Sequence, residues 1–404
     1  MGMSESRFRS WRRGSCIHST MTPGYAKFRK VRFFSSLDGL RALSIAGVIW
    51  FHSWWGTPYF PLFQRMPVLR QGSFGVEIFF VISGFLITTL LLRERDRCGE
   101  ISIRDFYIRR ALRIWPLYYA TIALYVVVVL IFERNWRGQC FFHYLPSFLT
   151  YTYTWFISPK WNGGIFNLAW TLCTEEQFYA FWPLVLRFFR GFWSSAMIIA
   201  LIALRYAAGY GWTNRILPPG WLPTRILLSA SIAICLGVLL AQALHSERGF
   251  RWLYSVLGRK WSALLMLAAL AASLFPVHMH YIVPLLATTA LVGACVIRED
   301  NGLASLLRLR PIAYMGVLSY GMYLFNSLSI HAVQLALSRI GLLYPPLVFP
   351  LALGLATATA WVSYRYFESR FLKLKTRFSR VHPAPAERAT DGIADPRTGV
   401  PVHP

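Results

Sequence analysis

Residues 37–55 read LDGLRALSIAGVIWFHSWW, an apolar run that contains Asp38, Arg41 and His52. A helix needs about 20 mostly apolar residues to cross a bilayer, and this run is long enough to do so. Ionisable side chains inside such a run are costly and are therefore usually functional. The stretch predicts a membrane-spanning helix that carries part of a polar site.

Nine further stretches of the 404-residue chain have the same apolar character. Together, the ten predicted spans lie at roughly 37–55, 74–92, 114–132, 168–186, 194–210, 226–244, 261–276, 281–297, 313–336 and 347–364. Only 15% of the residues are charged, against about 25% in an ordinary soluble domain. We therefore predict an all-α polytopic membrane protein with about ten transmembrane helices. The aromatic stretch 141–157 has interfacial character and is expected to lie in a loop.

The distribution of basic residues predicts the orientation of these spans. With the N-terminus inside, the inner segments carry 30 Lys and Arg residues and the outer segments carry eight. This asymmetry favours cytoplasmic N- and C-termini in a multi-pass protein of the cytoplasmic membrane. The net charge of +25 is then explained by inner segments that face an anionic leaflet. Nucleic-acid binding is the weaker interpretation of this charge.

The chain divides into three predicted regions. Residues 1–33 form a basic cytoplasmic N-terminal segment without the apolar core of a signal peptide. Residues 34–375 form the membrane domain, and residues 376–404 form a polar tail that we expect to be disordered and cytoplasmic. The six cysteines are scattered without metal-ligand spacing, so no metal site is expected.

The polar residues of the first span are predicted to share one helix face. Arg41 and His52 are eleven residues apart, which places them within about 20° of one another and roughly 16 Å apart along the axis. Asp38 is one turn from Arg41 and can pair with its guanidinium. The alternative is that His52 belongs to an interfacial aromatic belt with Trp54 and Trp55.

Three arginines lie within one helical turn at the inner entry to the third span. Arg110 and Arg113, with Arg109 beside them, can present guanidinium groups to one anion, which suits a phosphate or pyrophosphate. The alternative is that this cluster enforces orientation or binds anionic lipid headgroups.

Two adjacent carboxylates, Glu175 and Glu176, lie inside the apolar fourth span, and Tyr179 is one turn below Glu175. Burial of a carboxylate in lipid favours a functional role. Ser83, in the second span, is assigned to helix packing, because no base lies beside it in the sequence. Arg365 and Glu368 are one turn apart and are expected to form a structural pair.

These motifs together resemble the acyltransferase-3 family of bacterial membrane O-acyltransferases, over roughly residues 33–375. The elements that carry the resemblance are, in chain order, Arg41…His52, the FFVISGF run at 79–85, Arg110-Ala-Leu-Arg113, the run from Trp170 to Tyr179 with Glu175, and Ser363-Tyr364-Arg365…Glu368. The sequence departs from the family pattern at Glu77, where Asp is common, and at Asn326, where His is common. A histidine at that later position is therefore not required in this chain.

The resemblance implies transfer of an acyl group, often acetyl, from acyl-CoA to a hydroxyl of a carbohydrate or related acceptor. On this hypothesis Arg110 and Arg113, with Arg109, hold the CoA phosphates at the cytoplasmic mouth, and Asp38 and Arg41 fix a polar line. His52 is the general base on the acceptor hydroxyl, or alternatively carries a covalent acyl group. From the resemblance, Glu175 orients or polarises His52 or the acceptor.

Two other classes of function remain open from the sequence. Buried Arg, Glu and His also mark the paths of transporters and flippases, although the sequence shows no internal repeat and no paired broken helices in matching halves. A scaffold that only binds anionic lipid is the third possibility. The partners expected for the enzyme are acyl-CoA, a hydroxyl acceptor and membrane lipids.

Overall fold

The computed structural model describes residues 23–31, 33–133, 135–157, 165–275 and 280–378, and every regular element in these ranges is helical. The α-helices are α1 (Pro23–Lys30), α2 (Ser35–Ser53), α3 (Phe60–Arg65), α4 (Pro67–Arg70), α5 (Gly75–Cys98), α6 (Ile103–Phe132), α7 (Trp136–Leu149), α8 (Tyr153–Phe156), α9 (Ala169–Phe188), α10 (Phe192–Gly209), α11 (Leu222–Ser229), α12 (Ile232–His245), α13 (Glu247–Leu257), α14 (Ser262–Leu274), α15 (Ile282–Ile297), α16 (Ala304–Leu307), α17 (Arg310–Arg339), α18 (Pro345–Ser363) and α19 (Ser369–Lys375). Gln71–Phe74 and Thr376–Phe378 are 3₁₀-helical, and Tyr364–Glu368 is π-helical.

The prediction of an all-helical polytopic membrane protein is confirmed. Each predicted span lies on a helix, namely α2, α5, α6, α9, α10, α12, α14, α15, α17 or α18. Within the described ranges, four helices are long and apolar enough to cross a membrane, and up to seven if each sharply bent helix pair counts as one span. The number ten stays a prediction, because α15 is short and polar residues interrupt the apolar runs of α9 and α17.

The expectation that 141–157 forms a loop is wrong. Much of this stretch is helical, in α7 and α8, and Phe141, Tyr144 and Phe148 are buried. Their spacing of three and four residues puts the aromatic rings on one helix face, where Phe148 packs edge-on against Phe166. Aromatic content alone did not distinguish an interfacial stretch from a buried helix face.

Glycines bring the central helices into backbone contact. A Cβ atom on Gly84 would lie 2.1 Å from the carbonyl oxygen of Ile234, so α5 and α12 touch there. A Cβ atom on Gly316 would lie 2.0 Å from the carbonyl oxygen of Asp38, which fixes α17 against α2 in the same way. Small residues allow such close approach in membrane helices. These contacts fix α12 against α5 and α17 against α2.

The basic N-terminal segment is partly docked on the bundle. In α1, Arg29 forms an ion pair with Asp96 and a hydrogen bond of 3.0 Å with Nδ1 of His245. Arg93 of α5 donates to the carbonyls of Phe28 and Val31. Residues 1–22 and 379–404, which include most of the predicted tail, lie outside the described residues.

Candidate functional site

A cavity of about 600 Å³ runs along α5 between α2, α6, α9 and α17. Val76 and Arg97 of α5 both line it. They are 21 residues apart, which corresponds to roughly 31 Å along the helix axis. On the predicted orientation, the end at Arg97 faces the cytoplasm and the end at Val76 lies toward the outer half of the bundle.

Arg110 lies at the centre of the polar wall of this cavity. The guanidinium carbon of Arg110 lies 3.8 Å from the centre of the Tyr179 ring. Its Nη2 atom is 3.9 Å from Oε2 of Glu175, and its Nε atom is 3.7 Å from Oε1 of Glu176. A cation over an aromatic face with two carboxylates nearby is well compensated in a desolvated position. Arg110 is therefore largely engaged by the protein itself.

Ser83 and Glu175 form a direct contact that sequence reasoning missed. The Ser83 hydroxyl donates to Oε1 of Glu175 at 2.6 Å, and both side chains line the cavity. The two residues are 92 positions apart, so no local pattern joins them. The sequence signal for this contact is that each residue belongs to one of the quoted motifs. The sequence nevertheless predicted helix packing for Ser83. The packing contact belongs to its neighbour Gly84.

Arg113, close to Arg110 in the cavity wall, remains available to a ligand. It lies deep among the helices, yet its side chain is exposed to the cavity. Its charged neighbours are Arg41, Arg110, Asp38 and Glu368. Within the described part of the chain its guanidinium makes no hydrogen bond or ion pair, so it can receive an anionic or polarised ligand group.

Asp38 and Arg41 form the expected ion pair, with Oδ1 of Asp38 3.0 Å from Nη1 of Arg41. Arg41 lines the cavity, whereas Asp38 is buried behind it.

Arg109 is held by Oε2 of Glu94 at 2.8 Å and by the carbonyl of Phe378 at 2.8 Å. Arg109 therefore also ties the C-terminal end of the described chain to α6.

His52 does not line this cavity. A Cβ atom on Gly75 would lie 2.4 Å from the carbonyl oxygen of Ser44, so the outer end of α5 is level with Ser44. His52 is eight residues further along α2, or about 12 Å beyond that level. Its Nδ1 is 2.9 Å from the carbonyl of Val48, and its ring packs against Trp55.

The structure does not place Glu175 in contact with His52, so direct orientation of His52 by Glu175 finds no support in this arrangement, and a role of Glu175 toward the acceptor stays a prediction. Ser83, which Glu175 contacts, is eight residues below Gly75 on α5, and His52 is eight residues above Ser44 on α2. The two side chains therefore lie at different depths of the bundle. The arginines and Glu175 occupy the inner part of the bundle, and His52 occupies its outer end.

The expected pair of Arg365 and Glu368 is absent from the described residues. Glu368 instead accepts a hydrogen bond from Ser363 at 3.1 Å, and Arg365 lies over the ring of Trp361. The cause is the π-helical segment Tyr364–Glu368, whose wider turn removes the i, i+3 alignment of an α-helix. This turn brings Glu368 into the surroundings of Arg113.

Two hydroxyl residues near the outer end of the cavity were also missed. Thr171 donates to the hydroxyl of Tyr323 at 2.7 Å, and Tyr323 donates to the carbonyl of Leu168 at 3.1 Å. Both side chains line the cavity.

Among the described residues, no group of three or more His, Cys, Asp or Glu side chains is arranged to hold a metal ion.

Comparisons with known proteins agree on one family. The acyltransferase-3 family model, described as "Acyltransferase domain", matches residues 34–365. The chain is 29% identical over 324 residues to the peptidoglycan O-acetyltransferase OatA of Listeria monocytogenes, covering 73% of this chain and 49% of OatA. It is 30% identical over 326 residues to YrhL of Bacillus subtilis, provisionally named a peptidoglycan O-acetyltransferase, covering 75% of this chain and 49% of YrhL. The chain thus spans about half the length of these relatives, and no solved structure matches it.

Proposed function

The chain belongs to the acyltransferase-3 family, and from this premise we propose that it is a membrane O-acyltransferase that uses acyl-CoA. The acyl group is acetyl, and the acceptor is a hydroxyl of a cell-envelope carbohydrate of the peptidoglycan type. The names of the relatives support both assignments. The protein then works in the cytoplasmic membrane, with its donor on one side and its acceptor on the other.

The observation that carries the proposal is the long cavity lined by arginines. A CoA thioester has an anionic nucleotide end, a flexible pantetheine arm and a neutral acyl end. The cavity offers cationic groups at its inner end and an apolar wall that includes Phe79, Phe80 and Leu86. This polarity suits a donor that enters from the cytoplasm.

On this proposal the inner residues serve the donor. Arg113 and Arg110 bind it, and Arg109 supports the wall on which they lie. Glu175 holds Arg110 and Ser83 in place, and the Asp38–Arg41 pair fixes the polar line above them. Glu175 therefore acts on the donor side, since it is far from His52.

The outer residue His52 is the proposed general base. It takes the proton of the acceptor hydroxyl as the oxygen attacks the thioester carbonyl. A C–O bond forms, the C–S bond breaks, and the proton passes to the departing CoA thiolate. His52 lies about 12 Å beyond the outer end of α5, so transfer requires the thioester and His52 to approach one another from their positions in this structure.

The test uses purified protein in detergent with acetyl-CoA labelled in the acetyl group and a peptidoglycan or other envelope-glycan acceptor. We expect label on acceptor hydroxyls, released by mild base. Label on the protein in the absence of acceptor, with ping-pong kinetics, indicates the covalent acyl-His52 route. Uptake of glycan or lipid-linked substrate into vesicles without any transfer of label would contradict the proposal and favour a transporter.

A further inference from the structure

The cytoplasmic end of the cavity carries a second group of cationic and aromatic side chains, on α5 and the segment before α2, in addition to Arg110 and Arg113 of α6. Arg93 and Arg97 lie one turn apart on α5, and both line the cavity together with Phe33. Arg97 is exposed and makes no hydrogen bond or ion pair with any other described residue. Phe33 is 64% exposed, although it is a large apolar side chain.

The surroundings of this mouth leave its positive charge uncompensated. The nearest carboxylate on the cavity wall, Glu94, is occupied by Arg109 at 2.8 Å and by the backbone N–H of Ser102 at 3.0 Å. Arg93 donates only to the carbonyls of Phe28 and Val31, which are neutral. An anion at the mouth therefore meets two guanidinium groups that form no ion pair with a carboxylate of the described residues.

Depth separates this group from the inner arginines. Arg97 is 14 residues from Ser83 on α5, or roughly 21 Å along the axis, and Ser83 is level with Glu175 and Arg110. The phosphates of a CoA molecule all lie on its nucleotide end, within one ribose of each other. One donor molecule cannot place its phosphates at both depths, whereas its pantetheine arm can bridge them.

We propose that the cytoplasmic mouth is a nucleotide subsite, in which Arg97, with Arg93, binds the 3′-phosphate of the donor and Phe33 stacks on its adenine. This rests on the proposed use of acyl-CoA. The pantetheine arm then runs inward past Arg113 and Arg110, which contact the arm instead of the phosphates, and it directs the acyl group toward the outer end of the cavity. Aromatic stacking on a base and bidentate guanidinium contacts to phosphate are the usual means of holding such an end.

The experiment compares CoA with dephospho-CoA, which lacks only the 3′-phosphate, by calorimetric binding to the purified full chain. We expect the wild type to bind CoA at least about tenfold more tightly, the size of one lost charge-assisted bond. Arg97→Ala should reduce that preference to near unity by weakening CoA alone, and Arg97→Lys should retain part of it. Arg113→Ala should leave the preference unchanged, because it removes no contact to the 3′-phosphate.

A control variant keeps the outcomes separate. Arg104→Ala removes an exposed arginine at the same end of the bundle that does not line the cavity, and it should leave both affinities unchanged. A wild-type-like preference for CoA in Arg97→Ala, or its loss in Arg113→Ala, would overturn the subsite. Failure of the wild type to bind either compound would overturn the proposed function as well.

An anionic lipid headgroup offers the same phosphate chemistry, so the measurement is repeated in nanodiscs with and without phosphatidylglycerol. If the subsite takes the donor, Arg97→Ala removes the preference for CoA in both lipid compositions. If Arg97 instead changes only the response to phosphatidylglycerol, the ligand is lipid and the assignment to the donor is wrong.

Discussion

Glu175 and Glu176 are adjacent in the chain but have different surroundings. Both approach Arg110, yet only Glu175 lines the cavity and accepts the Ser83 hydroxyl, whereas Glu176 meets Trp115 at 3.4 Å. We expect Glu175→Gln to lower kcat/KM by about 10- to 100-fold, the size of a lost charge-assisted bond. Glu176→Gln should cost less than about tenfold. Acyl-transfer assays on both variants, normalised to folded protein, give the ranking, and the reverse order would contradict the assignment of Glu175 to the cavity.

Arg113 is the guanidinium whose removal should affect the donor most directly. Arg113→Ala should reduce kcat/KM for acetyl-CoA by about tenfold or more, because it removes from the cavity wall a cation that makes no hydrogen bond within the described residues. Arg113→Lys should recover only part of this, since an ammonium lacks the planar fork. Steady-state kinetics at varied donor concentration measure the effect. Unchanged kinetics in Arg113→Ala would exclude Arg113 from donor binding.

His52 can be distinguished from an aromatic-belt residue by a substitution that keeps its ring. His52→Phe should reduce kcat by about 10²- to 10⁴-fold with little change in donor affinity, because it removes only the titrating nitrogens. In the wild type the rate should rise with pH as the imidazole loses its proton.

His331 is a matched control for this substitution. It is exposed, and its Nδ1 is 2.8 Å from the carbonyl four residues earlier, as in His52. His331→Phe should therefore leave the rate unchanged. Normal turnover in His52→Phe would return His52 to the aromatic belt and leave the proposed reaction without a base.

At the scale of elements, the apolar runs predicted where the helices lie, because the length and composition of a span are local properties. Contacts between elements could not be predicted in this way. The Ser83–Glu175 hydrogen bond joins two helices, and the π-helical turn at Tyr364–Glu368 redirects Glu368. The depth of His52 relative to the cavity depends on how α2 packs against α5. The sequence shows which residues belong to the site but not how deep each of them lies in the helix bundle.

The close contact of α5 and α12 gives a prediction about stability. A methyl group at Gly84 would lie 2.1 Å from the carbonyl oxygen of Ile234, so the two helices must separate. We expect Gly84→Ala to destabilise the protein by about 1–3 kcal/mol, the usual effect of overpacking. Gly354→Ala, on α18, meets nothing within 4 Å and should be neutral or slightly stabilising. Thermal unfolding in detergent measures both, and equal stability of the two variants would contradict the tight helix contact.

For the whole molecule, the predicted orientation decides which substrate reaches which end of the site. The cavity mouth at Arg97 lies on the side rich in Lys and Arg, and His52 lies toward the opposite side. On the proposed function, a donor made in the cytoplasm and an acceptor in the envelope then meet only through the bundle. An inverted protein would expose its arginines to the compartment that holds no acyl-CoA.

Cys98 provides a test of this orientation. It is exposed at the inner end of α5, whereas the four other cysteines in the described ranges are buried. In a Cys16→Ser background, a membrane-impermeant maleimide should label Cys98 only after the cells are permeabilised. Ile216→Cys, at a position 80% exposed in the predicted outer segment 211–225, should be labelled in intact cells. Labelling of Cys98 in intact cells, with Ile216→Cys protected, would invert the topology and place the donor cavity on the side of the acceptor.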